Sequence, residues 1–514
     1  MNSKKWIGFV VGIFAFLIIL LLPLESVISH EAKLVAAVTV LMIIFWVTQP
    51  IPIEATSLIP LVAFPLLGIL NMSDTATPYA DPVIFLFLGG FMIAMAMQRW
   101  NLHRRIAMKL ISFTGTSPSQ LILGFMIGTA FISMWMSNAA TAMMMIPIAI
   151  AIVATVIPKS SVKDMNASEK AFAGCLVLGI AYAATVGGMA TLIGCAPNAV
   201  FASMLIKFFP TAPPVDFFSW ILFGLPFVII LLFIVWLWLT KITYRKMPKT
   251  LDHAKEALQK EIEEMEPMSR GEKNTLFVLI LAALLWIFKD PKDLGGVITI
   301  PGLNSLHHAG LIPFPIADST IAIFCAFLLF IIPVSIKNHE LTLNWKWAVK
   351  IPWGVLLLFG GGLSLSAAFK ASGLSEAIGK IFYGISIPPI LIVLFMAFVV
   401  MILTAFTSNT AIANIMMPAA VSVAVGLQMN PFILMMTVAI ASSLSFMLPV
   451  STPPNAIAYG TQYVEMKDMV TSGGTLNLIA ILLFTILLFT IGFTIFGMDA
   501  SLPEWTTTMN LPLS

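Results

Sequence analysis

Apolar residues run in blocks along this chain, at about 6–24, 34–48, 53–70, 82–98, 121–156, 171–206, 218–240, 274–288, 317–335, 351–369, 387–425, 432–463 and 474–497. A helix needs roughly 20 apolar residues to cross the hydrocarbon core, so most blocks predict one pass each. Blocks 121–156 and 387–425 are longer and carry Ser-Asn pairs in their middles. Blocks 171–206 and 432–463 are interrupted by Gly and Pro. The first block, Trp6 to Leu24, follows Lys4 and Lys5. It exceeds the roughly 7–15 residues of a signal-peptide core and has no small-x-small cleavage site, so it reads as a retained transmembrane helix.

Basic residues orient the blocks. Lys4 and Lys5 put the N-terminus in the cytoplasm. Arg99, Arg104, Arg105 and Lys109 then fall inside, as do Lys159, Lys163 and Lys170, the charged segment 241–273, and Lys337, Lys346 and Lys350. Each cytoplasmic loop meets the positive-inside rule, and the C-terminus is expected outside the cell membrane. Segment 241–273 is mixed in sign and reads as a solvated amphipathic helix with a structural role.

The two halves echo each other. Phe87-Leu88-Gly89-Gly90 returns as Leu358-Phe359-Gly360-Gly361, and Ser137-Asn138-Ala139-Ala140 as Ser408-Asn409-Thr410-Ala411, both at one offset of 271 residues. Ala196-Pro197-Asn198-Ala199 returns as Pro453-Pro454-Asn455-Ala456 at a shorter offset. Block 82–98 runs inward and its partner 351–369 outward, so the repeats are inverted. Inverted repeats with paired, broken hydrophobic segments mark a secondary transporter whose site lies near the midplane. The expected fold is an all-α polytopic membrane protein with two re-entrant hairpins and two broken helices.

Composition narrows the function. Of 514 residues, 59% are hydrophobic and 10% charged, against about 25% charged in soluble proteins. Such a chain needs the lipid bilayer as its solvent. A net charge of +3 implies no nucleic acid. Cys175, Cys195 and Cys325 sit in apolar runs without framework spacing and read as packed thiols. The six His residues lie in loops or at helix ends and read as surface residues. Met143 to Met145 read as lipid-facing or packing residues. No HExxH, phosphate loop or Ser-His-Asp set occurs in plausible context, so no catalytic residue is assigned and no enzyme is expected.

The candidate chemistry lies in the odd blocks. A Ser-Asn pair midway through a long block is either a loop at the far surface or the tip of a re-entrant hairpin at mid-depth. The inverted second copy favours two tips meeting in the middle, where irregular backbone is tolerated only against protein or a cavity. Proline in the broken segments, Gly187 to Asn198 and Ser451 to Asn455, frees carbonyls that suit a small cation. The restarted half-helices present amide donors that suit an anion. Segments 110–158, 171–206 and 381–464 contain no Asp, Glu, Lys, Arg or His, which argues against direct proton coupling through a carboxylate. An anion channel would show a ring of charge or an open polar stripe, and none is visible.

At these residues the sequence resembles the divalent anion/sodium symporter family over nearly its whole length. Ser408-Asn409-Thr410 matches the family's Ser-Asn-Thr motif fully and Ser137-Asn138-Ala139 in two of three positions. Thr452-Pro453-Pro454 matches its Thr-Pro-Pro motif, and Phe85 to Arg105, with Gln98-Arg99-Trp100-Asn101-Leu102, also looks like the family. The resemblance implies an elevator-type carrier of succinate, malate, 2-oxoglutarate or citrate, working as a homodimer. Residues 1–110 and 274–370 would form the scaffold, 111–240 and 371–514 the transport domain, and 241–273 a cytoplasmic linker. Ser137, Asn138, Ala139, Ser408, Asn409, Thr410, Thr452 and Pro453 would hold the substrate. Sodium, the one coupling ion implied, would draw on Ser133, Ser137, Asn138 and Gly194 at a first site, and on Thr404, Thr407, Asn409 and Ser451 at a second. Ala139 stands where the family has Thr, and Cys195-Ala196 where it commonly has Thr-Pro. These departures keep sodium-independent dicarboxylate exchange as an alternative.

Overall fold

The computed structural model describes residues 3–25, 27–157, 162–251, 254–294 and 298–506. Lys159, used above to orient a loop, lies outside these ranges, as do residues 507–514. Among the described residues, eight helices are long and apolar enough to cross a membrane: His30–Thr48, Met72–Arg99, Asn138–Val156, Ala167–Gly188, Phe217–Thr243, Trp353–Ala371, Asn409–Gly426 and Met466–Phe496. The protein is a multi-pass, all-α membrane protein. Among the described residues the strands form two short antiparallel pairs in loops, Lys292–Leu294 with Ile298–Ile300 and Pro333–Ser335 with Glu340–Leu341.

The odd blocks resolve into helix pairs. Block 121–156 becomes Pro118–Ser133 and Asn138–Val156, joined by a tight turn. Block 387–425 becomes Pro389–Thr404 and Asn409–Gly426. Block 171–206 becomes Ala167–Gly188 and Ala196–Phe208, and block 432–463 becomes Pro431–Ala441 and Pro453–Gly460. Prolines open several of these helices, in the first turn, where a missing amide proton leaves nothing unpaired. Block 53–70 also divides, into Ile53–Thr56 and Ile59–Leu66. There the Ser57 hydroxyl donates to Ile53 O at 2.8 Å and Trp46 Nε1 donates to Ser57 Oγ at 3.2 Å, which holds the break.

The repeated Gly-Gly pairs allow close helix approach. A Cβ at Gly89 would lie 2.5 Å from the backbone of Ala322, on helix Asp318–Leu329. Small residues of this kind let apolar helices pack backbone to backbone without a hydrophobic driving force. Phe87 and Phe359 meet edge to face at 4.9 Å and join helices Pro82–Arg99 and Trp353–Ala371. The helix Ala167–Gly188 is almost wholly enclosed, with every residue from Phe172 to Gly188 buried.

Segment 241–273 contains the helix Ala254–Glu263, which packs on Leu102–Ser112 and Asn138–Val156. Arg104 pairs with Glu261 at 2.6 Å and Arg105 with Glu272 at 2.5 Å. His103 corrects the surface reading of the histidines: it is buried, with Nδ1 3.1 Å from Met97 O. It shares the inner face of an amphipathic helix with Ala107 and Ile111, and burial lowers its pKa. The three cysteines are free and buried.

Candidate functional site

Both helix-turn-helix tips and both breaks open onto one cavity of about 430 Å³. Its lining includes Ser137, Asn138 and Ala139 from the first tip, and Thr407, Ser408, Asn409 and Thr410 from the second. The breaks contribute Gly194 and Cys195 on one side and Ser451, Thr452 and Pro453 on the other. Eleven of the thirteen residues expected at the site are therefore gathered in one place, although their sequence positions span more than 300 residues. The other two, Ser133 and Thr404, are fully buried one hydrogen bond behind the wall.

Each of these segments brings a helix start to the cavity. Helices begin at Asn138, Ala196, Asn409 and Pro453. The positive ends of the helix dipoles therefore face the same space, and the starts at Asn138 and Asn409 add unpaired amide protons, whereas Pro453–Gly460 opens on two prolines and its Asn455 N–H is capped by Thr452. Among the described residues, no lining residue is Asp, Glu, Lys, Arg or His. The remaining wall comes from Gln49, Ile53, Phe87, Phe91, Pro352, Val355 and Phe406, with Ile193, Ala196, Pro197 and Val450 beside the breaks.

Behind each tip lies an oxygen-rich nest. Ser133 Oγ is 2.6 Å from Ala184 O and 2.9 Å from Asn138 Oδ1. Thr404 Oγ1 is 2.7 Å from Ser442 O and 2.8 Å from Asn409 Oδ1, and Ser445 Oγ lies 3.1 Å from that same Oδ1. A hydroxyl has one proton, so in the first nest two acceptors share one donor, while in the second the Thr404 and Ser445 hydroxyls serve the two acceptors. Such a surplus of hard oxygens fits a small cation. Among the described residues, no group of three His, Cys, Asp or Glu is placed to hold a metal ion.

The breaks are pinned alike. Asn198 Nδ2 donates to Thr191 O at 2.8 Å and Gly188 O at 3.3 Å. Asn455 Nδ2 donates to Ser445 O at 2.9 Å and Leu448 O at 3.1 Å. Both carboxamides are fully buried, and each Oδ1 has no hydrogen-bond partner. Sequence reasoning quoted these asparagines within the repeat but gave them no role, although their place after proline in both copies was the available signal. Ser445 was missed, because the equivalent first-half position holds Gly188 and no repeated motif marks it.

The family profile described as the sodium:sulfate symporter transmembrane region matches residues 3–497. The chain belongs to the divalent anion/sodium symporter family. Within that family, the sodium-dependent dicarboxylate transporter SdcS of Staphylococcus saprophyticus is 37% identical over 508 residues, spanning 98% of this chain and 94% of its own. SdcS of Staphylococcus aureus strain MRSA252 is 37% identical over 504 residues, with the same coverage. Two solved structures share the fold at low identity. The YdaH transporter of Alcanivorax borkumensis superposes with a TM-score of 0.54 at 14% identity, over 84% of this chain and 87% of its own. MtrF of Neisseria gonorrhoeae gives 0.55 at 12% identity, over 93% and 98%. The symporter family expected from the Ser-Asn and Thr-Pro-Pro motifs is thus the family found.

Proposed function

We propose that this family member is a secondary transporter that carries small di- and tricarboxylates together with sodium. The observation that carries this reading is the uncharged cavity on which four helix starts converge. Each helix start acts as roughly half a positive charge, so the four sum to about two, which complements a dicarboxylate dianion. Asn138, Asn409, Thr410 and Thr452 supply donors at fixed positions for its oxygens. Sodium ions fit the two nests, where Ser133, Asn138 and Gly194 stand on one side and Thr404, Asn409 and Ser451 on the other. The sodium dependence and dicarboxylate substrates of the SdcS proteins, which match nearly end to end, support the same assignment.

The mechanism read from this arrangement is an elevator. The two helix pairs are re-entrant hairpins of inverted repeats, and with the broken helices they form the transport domain, 111–240 and 371–514. Residues 1–110 and 274–370 form the scaffold of a homodimer, the N-terminus lies in the cytoplasm and the C-terminus outside. Gln49, Ile53, Pro352 and Val355 sit at scaffold helix ends that this orientation places on the cytoplasmic side, so the cavity corresponds to an inward-facing state.

The test is uptake of radiolabelled succinate into proteoliposomes. Uptake driven by an inward sodium gradient, with no acid inside, is expected. Uptake that needs internal dicarboxylate whatever the sodium level would identify an exchanger and reject the symport reading.

A further inference from the structure

We propose that the slot between helix Pro118–Ser133 and helix Phe217–Trp238 with its continuation to Thr243 holds an anionic phospholipid. The assignment of its head group to the inner leaflet rests on the orientation given under Proposed function. The slot has two parts. At one end, a polar pocket of about 450 Å³ is lined by Lys241, Arg245 and Lys249, together with Thr240 of the same segment and Ser117 and Ser119 of the neighbouring helix start. No carboxylate lines it, and none of its three cations has an ion-pair partner among the described residues. This sets them apart from Arg99, Arg104 and Arg105, each of which is paired with a glutamate. The positive-inside rule explains cations on this side of the membrane. It does not explain three cations, none with an ion-pair partner among the described residues, converging on one cavity. The start of helix Pro118–Ser133 faces the same pocket, and the buried Ser119 hydroxyl lacks a hydrogen-bond partner.

The second part continues between the same two helices. It is an apolar groove of about 370 Å³, lined by Leu123, Ile127 and Phe131 on one side and Leu225, Ile229 and Phe233 on the other. From Leu123 to Met134 the groove follows the helix for roughly 16 Å at 1.5 Å per residue. That is about half of the roughly 30 Å hydrocarbon core, the depth of one leaflet. Trp236 stands between the two parts, its Nε1 donating to Ser119 O at 2.9 Å, and tryptophan favours this boundary level. A cationic head pocket above an apolar groove of leaflet depth matches a lipid with a charged phosphate and acyl chains. The deep end of the groove, at Ala130 and Met134, flanks Ser133, so the bound lipid braces the arm that carries Asn138.

The experiment measures lipid retention by native mass spectrometry and melting temperature in detergent, with phosphatidylglycerol, phosphatidylcholine or inorganic phosphate added. These binding readouts need no transport, so they stand apart from the uptake test. A polybasic contact gives about fivefold in affinity per cation. Retention of phosphatidylglycerol over phosphatidylcholine by about a hundredfold is therefore expected, falling to near parity in a Lys241→Gln, Arg245→Gln, Lys249→Gln variant. Ile229→Trp, at an exposed position, fills the groove and should lower retention of the anionic lipid while leaving the charges intact. Equal retention of the two lipids by the unaltered protein would overturn the proposal, whether or not the triple variant folds. Stabilisation by inorganic phosphate equal to that by phosphatidylglycerol would identify a free-phosphate pocket and would equally overturn it.

Discussion

The first tip and break and the second do the same job with different means. In the first half, packing sets the geometry: a Cβ at Gly188 would lie 2.3 Å from Asn138 Oδ1, and one at Gly194 would lie 2.6 Å from Gly188 O. The Thr191 hydroxyl then ties the break to the tip by donating to Met134 O at 2.6 Å. In the second half, hydroxyls replace the glycines. Ser445 stands where Gly188 stands in the repeat and donates to Asn409 Oδ1, and Ser451 stands where Gly194 stands and donates to Ser445 O at 2.9 Å. Thr452 caps its helix by accepting from Asn455 N at 3.4 Å, whereas Cys195 makes no such cap. Gly188 and Gly194 are set by fit and their counterparts Ser445 and Ser451 by hydrogen bonds, so the two units should fail in different ways.

The largest effect should come from what the units share. Asn138→Ala and Asn409→Ala each remove a half-buried carboxamide that the proposed site offers to a charged ligand, a loss of about 2–5 kcal/mol. Succinate uptake should fall by at least about thirtyfold in each, with membrane expression unchanged. Normal uptake by both variants would remove the cavity as the site. Next comes the steric contrast. Gly188→Ala forces a methyl against the Asn138 carboxamide, at about 1–3 kcal/mol, whereas Ser445→Ala loses one hydrogen bond, about 1 kcal/mol. Sodium-dependent uptake should suffer more from the glycine change, and the reverse order would break the comparison.

Smaller still is an exchange of caps. Cys195→Thr supplies a cap that the first half lacks, and Thr452→Cys removes the one in the second. A cap is worth about 1 kcal/mol, so the two variants should move the melting temperature in opposite directions. Shifts of the same sign would mean that these positions are governed by cavity packing instead. The smallest effect concerns pH, to which both neutral units should be indifferent. Burial depresses the pKa of His103 in the folded protein, so the unfolded chain takes up the proton first. Stability should therefore be complete above the unfolded value of about 6.5 and decline as pH falls through the window below it. His103→Gln should flatten that decline in an acid melting series, and an unchanged slope would place the acid sensitivity elsewhere.

Much of this architecture was legible because repetition amplifies weak signals. One Ser-Asn pair in an apolar block is ambiguous, but Ser137-Asn138 and Ser408-Asn409 at a single offset point to paired tips. What had no second copy stayed hidden. Ser445 answers to Gly188, so the extra hydroxyl on Asn409 could not be read from the repeat. The cavity wall at Gln49 and Pro352 depends on contacts between helices far apart in sequence, which no local pattern encodes. His103 was misread because charged neighbours mark its segment as exposed, while the helical period turns this one residue inward. The cations at Lys241, Arg245 and Lys249 were visible only as a topological signal, since their convergence on a pocket exists only in three dimensions.

The neutrality of the cavity lining has an electrical consequence. In the carrier proposed above, a site without ionisable side chains would bring no charge of its own across the membrane when empty. Membrane voltage, worth about 2.3 kcal/mol per unit charge per 100 mV, therefore acts on the loaded passage alone. With a dianion aboard, two sodium ions make that passage electrically silent, and a third makes it a one-charge current. The current per molecule of acid moved would then count the sodium ions, because the lining of the site adds nothing to the sum.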